Sequence, residues 1–151
     1  MPARGLLTKI KKFKNLPAIK RALLIEAFFL MMAIRVGLMV FPFFKLRSWV
    51  KRHLSRRAHP YAGVEASQIA WSVQVAGRMI PRASECLVQA FVGEILCRRF
   101  GVSVDLKLGV LRDQHNLFRA HAWLENGEGV ILDGLKNNRY TPLPFQESEN
   151  W

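Results

Sequence analysis

Arg82-Ala-Ser-Glu-Cys-Leu-Val-Gln-Ala-Phe-Val-Gly-Glu-Ile-Leu-Cys97 is the stretch from which the rest of the chain can be read. Pro81 closes the pattern before it, and Ser84 stands where an N-cap belongs. Leu87, Phe91 and Ile95, with Val88 and Leu96 beside them, recur at helical spacing. The spacing predicts a helix with Cys86 in its first turn, where unpaired N–H groups and the helix dipole favour a thiolate. A nucleophile gains from that position. A packing cysteine does not need it, although free cysteines are among the residues most often buried.

Outward from this helix, the 151 residues suit one domain able to bury a core, and half of them are apolar. Cys86 and Cys97 would stand about 16 Å apart on one helix, too far to bridge. The sequence therefore carries no disulfide framework and suits a reducing compartment. Charge is unevenly spread. Residues 1–60 hold fourteen Lys/Arg against the single acid Glu26, whereas residues 61–151 hold nine against ten acids; +13 and −1 give the net +12. An anionic partner for the first half is the natural expectation: lipid surface, acidic peptide or nucleic acid.

In that basic half, Leu6, Leu7, Ile10, Phe13 and Leu16 alternate with lysines. Pro17 fits the first position of a long apolar helix, roughly Ala18 to Val40, ended by Pro42. The run approaches transmembrane length. Glu26 and Arg35 interrupt it, and cations flank both ends, which counts against a simple span. No small-residue cleavage site follows it, against a signal peptide. Phe43 to Arg57 then sets Leu46, Trp49, Val50 and Leu54 on one face among cations. The whole reads as a helical subdomain with a solvated basic face; a peripheral membrane or partner-docking surface is the sharper alternative. Residues 55–63 form a connector, and Val64, Ile69, Val73, Ala76 and Ile80 predict another helix.

Beyond Gly101, a C′ residue, the period changes. Val102 to Val110 alternates with apolar residues at even positions, the clearest strand in the chain. Asp113 to Asn116 reads as a loop, Phe118 to Glu125 as a second strand, Asn126-Gly-Glu-Gly129 as a turn, and Val130 to Asp133 as its partner strand. A three-residue turn would pair Glu125 with Gly129, Trp123 with Ile131 and His121 with Asp133, within reach of an imidazole–carboxylate hydrogen bond. A two-residue Asn-Gly turn would put His121 opposite Leu132 and turn Asp133 to the other face. A triad needs the longer loop or an equivalent bulge, and the sequence leaves both open.

The candidate catalytic residues are thus Cys86 as nucleophile, His121 as base and acid, and Asp133 as the group orienting the imidazole. The Cys86 N–H would be an oxyanion donor. Each has a plainer reading: His121 as a half-buried strand histidine, Asp133 as the start of the turn Asp133-Gly134. Metal-ligand spacing is missing, with neither Cys-x-x-Cys nor His-x-x-x-His, and no phosphate-binding glycine loop occurs. Neither a metal nor a cofactor is expected.

Taken together, Cys86-Leu-x-Gln-Ala, Leu96-Cys-Arg-Arg-Phe-Gly101, Leu108-Gly-Val110, Ala120-His-Ala-Trp123 and Asp133 resemble the lasso-peptide maturation proteases. These are the B proteins of microcin-type clusters, in the transglutaminase-like branch of the papain-like cysteine enzymes. The resemblance covers residues 64–134. It implies an α+β fold, with a helical region at 1–63 and a papain-like, transglutaminase-like core at 64–151. It also implies removal of the leader from a ribosomally made precursor by Cys86, His121 and Asp133, before a separate ATP-dependent cyclase similar to asparagine synthetase closes the ring. Longer members begin with a strand-containing leader-recognition domain. Residues 1–63 show no strand pattern, so a separate recognition protein is expected as partner. The expected location is cytoplasmic, with peripheral contact at the inner membrane. Two other functions remain open: acyl transfer to an amine, and a non-catalytic basic module for membrane or partner. Nucleic acid is disfavoured, since the aromatics do not interleave with a basic strand face.

Overall fold

The structure, a computed structural model, describes residues 14–53, 63–80, 86–112, 117–132 and 141–143. Its elements follow the order α1 (Ala18–Val40), α2 (Phe43–His53), α3 (Ala66–Met79), α4 (Cys86–Arg99), β1 (Asp105–Arg112), β2 (Phe118–Asn126), β3 (Gly129–Leu132) and β4 (Thr141–Pro142). The fold is α+β, with helices on one side of a four-stranded antiparallel sheet ordered β3-β2-β1-β4.

The centre of the molecule is α4. Every residue from Val88 to Cys97 except the half-buried Gln89 is buried, so the helix has a packed surface almost all round rather than one stripe. Helices α1 and α3 pack against it and against each other, and the sheet covers its remaining side. Phe91 meets Phe43 of α2 edge-on at 5.5 Å between centroids. At the end of α4, Gly101 adopts φ +74° and Val102 N–H donates to the Cys97 carbonyl at 2.8 Å. This Schellman closure turns the chain directly back into β1.

Buried within α4 is one carboxylate. Glu94, 1 % exposed, accepts from Arg47 of α2 at 2.8 Å and from Arg98, one turn along its own helix, at 3.3 Å. Arg99 pairs with Glu26, the acid that interrupts the apolar run of α1. A carboxylate taken out of water requires such partners. The helix α1 begins and ends as the sequence predicts, with Pro17 before it and Phe41 N–H closing on the Gly37 carbonyl. The helix at 66–79 is also as read, and its start carries an unforeseen capping box between Glu65 and Gln68.

In the sheet, even positions of β1 and β2 face the helices: Leu106, Ala122 and Leu124 join the main core. The turn after β2 differs from both expected forms. Asn126 pairs with Gly129 around Gly127 and Glu128, and Glu125 pairs with Val130. A bulge then shifts the register so that Leu132 pairs with Leu124. Packing dictates that shift. A Cβ on Gly93 of α4 would meet Leu124 Cδ1 at 2.6 Å and Leu132 Cδ2 at 3.1 Å, so both leucines fill the space the glycine leaves. Asp133, Ser84 and the 113–116 loop lie outside the described residues.

Removing Arg47 leaves the buried Glu94 carboxylate with one cation fewer. Arg47→Ala is expected to lower stability by about 2–3 kcal/mol, the low end for breaking a buried pair because the arginine is itself partly exposed. Arg52→Ala, an exposed neighbour on the same helix, is expected to change it by less than about 0.5 kcal/mol. Urea unfolding midpoints of the two variants make the comparison.

Candidate active site

Two cysteines occupy the same helix in opposite conditions. Cys97 is fully buried, and its thiol is pushed up to about 12, first by burial and then by the nearby Glu94 carboxylate. It stays a protonated thiol at any physiological pH. Cys86 is the first residue of α4, half-buried, and packs against the edge of the core. The helix N-terminus supplies it with unpaired backbone N–H groups and the positive end of the dipole. Of the two, Cys86 alone has the exposure and the setting of a nucleophile.

His121 sits in β2, an interior strand of the sheet, and is 2 % exposed. Its ring stacks on that of Trp123 two residues along, with 5.9 Å between centroids and 17° between planes. Trp123 in turn donates its indole N–H to Glu125 at 2.6 Å. The three odd-numbered residues thus form one continuous row on a single face of β2. Gly109, directly across from His121 in β1, makes room for the row. A Cβ there would meet Trp123 Cη2 at 2.8 Å and the Thr141 carbonyl oxygen at 2.9 Å. Sequence reading singled out His121 but gave no catalytic role to Trp123 or Glu125, and it took Gly109 for a turn glycine, whereas Gly109 lies inside β1. The signal was the shared odd parity of 121, 123 and 125, together with a glycine in an otherwise bulky strand.

Helix α4 packs on β2, which joins the element of Cys86 to the element of His121. Gly93 lies against Leu124. Cys86 lies seven residues before Gly93 in α4, and His121 three before Leu124 in β2. Alternation sends Leu124 to the face that α4 covers and His121, with Trp123, to the other. The third expected member, Asp133, lies outside the described residues. Among the described residues, no group of three His, Cys, Asp or Glu side chains is placed to hold a metal ion.

Two measurements probe this arrangement. Mass mapping after brief alkylation of the folded protein at neutral pH is expected to find the label on Cys86, with Cys97 modified only after denaturation. Gly109→Ala is expected to cost about 1–3 kcal/mol, because its methyl group must displace the Trp123 ring or the Thr141 backbone. The displaced ring would also change the tryptophan emission of the native state.

No curated protein and no solved structure matches the chain. A family model described as the Transglutaminase-like superfamily matches residues 28–144, from within α1 to just past β4. That span includes the Cys86 helix, the His121 strand and the helices that enclose them, and by it the chain belongs to the transglutaminase-like superfamily.

Proposed function

We propose that this chain is a cysteine peptidase that removes the leader from a ribosomally made lasso-peptide precursor. Its superfamily is typically enzymatic and includes cysteine proteases and acyltransferases. The observation that carries the reading is the pair of settings in α4 and β2: a half-buried cysteine at the helix start, and a buried, ring-stacked histidine on the strand against which that helix packs.

In this mechanism the Cys86 thiolate attacks the scissile carbonyl, and the Cys86 N–H donates to the developing oxyanion. His121, protonated by the thiol, returns that proton to the leaving amine as the C–N bond breaks, leaving a thioester. Water, losing a proton to His121, then attacks the thioester carbonyl. The product acid departs and the proton returns to the sulfur. Asp133 is assigned the orientation of the imidazole. The bulge in β3 supports that assignment, since it sets Leu132 against Leu124 on the core face. A carboxylate one residue later needs that parity to share a face with His121.

This mechanism requires Cys86 and His121 to come within hydrogen-bond reach of each other in the substrate complex. The separate leader-recognition protein is therefore assigned the delivery of the precursor across the start of α4. The freed amine then passes to the cyclase similar to asparagine synthetase. Acyl transfer to an amine in place of water uses the same residues, and product mass separates the two.

The test combines the purified chain, its precursor peptide and the recognition protein, with peptide mass as readout. Wild type is expected to make one defined cut. Cys86→Ala, His121→Ala and Asp133→Ala, each folded by circular dichroism, are each expected to lose roughly 10³-fold or more in rate. Cleavage persisting in Cys86→Ala would remove the covalent mechanism, and an amide-linked product in place of the acid would make the chain a transferase.

A further inference from the structure

Helix α1 is apolar on both sides, and the protein covers only one. Leu23, Leu24, Ala27, Leu30, Met31 and Ile34 are buried against the neighbouring helices. On the opposite side Ile25, Phe29, Met32, Val36 and Met39 stand exposed, at successive spacings of four, three, four and three residues. They make one straight ridge about 21 Å long. Its exposure is high, 66 % at Phe29, 57 % at Val36 and 82 % at Met39. Phe41, Phe44 and Trp49 are exposed as well, the last two on α2. A helix apolar all round needs both sides covered.

Charge narrows what covers it. Lys45 and Arg52 of α2 are exposed, each within about one turn of Trp49, and Lys14 is exposed just before α1. Glu26, the single acid in residues 1–60, is paired with Arg99. A second copy of the chain would set the exposed cations Lys14, Lys45 and Arg52 against their own counterparts. An anionic bilayer supplies what both features require, acyl chain for the ridge and headgroup charge for the cations. Spanning does not fit, although α1 is long and apolar enough by length and composition. Its other side is built into the core along the same length, from Leu23 to Ile34.

We propose that α1 lies in the plane of an anionic membrane surface, with the Ile25–Met39 ridge sunk into the acyl boundary and the cations of α2 at the headgroups. Such seating is independent of the peptidase chemistry, and its test needs neither peptide nor partner. Full-length protein is floated with vesicles of phosphatidylcholine alone or mixed with phosphatidylglycerol. Wild type is expected to float with the anionic vesicles and to bind neutral ones at least about tenfold more weakly. Phe29→Ser/Val36→Ser, with an unchanged circular dichroism spectrum, is expected to stay with the soluble fraction. Lys45→Gln/Arg52→Gln is expected to weaken binding on the order of fivefold per cation removed, and high salt to reproduce that loss. Wild type failing to float with either vesicle would overturn the proposal, as would a ridge variant that floats as well as wild type. A concentration-dependent dimer abolished by the ridge variant, with no vesicle binding, would assign the ridge to a second copy instead.

Discussion

A buried carboxylate, Glu94, fixes how the two parts of this molecule meet. It lies in the helix that everything else surrounds, and solvent cannot stabilise its charge. Arg98 reaches it from the next turn, a contact that α4 makes by itself. Arg47 comes from α2, 47 residues away in sequence, and closes the pair only when the amino-terminal helices are docked. Arg99 makes the corresponding contact with Glu26 of α1. Two side chains within two turns of α4, Glu94 and Arg99, thereby hold both amino-terminal helices. The family match likewise begins within α1, at residue 28.

Long-range pairing of this kind is what a linear reading misses. Glu26 in an apolar run looks like an interruption, because its partner is 73 residues away. In the fold it is a point of attachment. The same limit applies to α4. Leu87, Phe91 and Ile95 suggest a helix with one apolar face, yet Glu94, Leu96 and Cys97 are as buried as Phe91. Polar residues disguised a central helix as an amphipathic one. Elements governed by local rules were legible. Pro17 and Pro42 bracket α1, Gly101 ends α4, and alternation from Val102 gives the core face of the first strand, although the strand itself runs from Asp105 to Arg112.

The hairpin falls between these cases. Asn126 and Gly129 announced a turn, but turn chemistry alone does not select its register. The choice is made across the layer, where Leu124 and Leu132 close on Gly93. Of the candidate site, the helix-start cysteine and the strand histidine were legible from spacing. The stack of His121 on Trp123, with Glu125 behind it, follows from parity once the strand is known. Cys97 shows why exposure has to be added to residue type. It has the chemistry of a nucleophile and an environment that removes it.

The position of α1 in the chain has a consequence during synthesis. Its 23 residues leave the ribosome well before α4 and the sheet, which complete the core that buries its inner face. At ordinary elongation rates the 59 residues from Phe41 to Arg99 take about 3–12 s to make. During that interval the helix presents apolar side chains on both sides and holds Glu26 without its arginine. A nascent chain of this type needs a temporary cover, from a chaperone or a lipid surface. Order of synthesis therefore sets a demand on this sequence that the finished fold no longer shows.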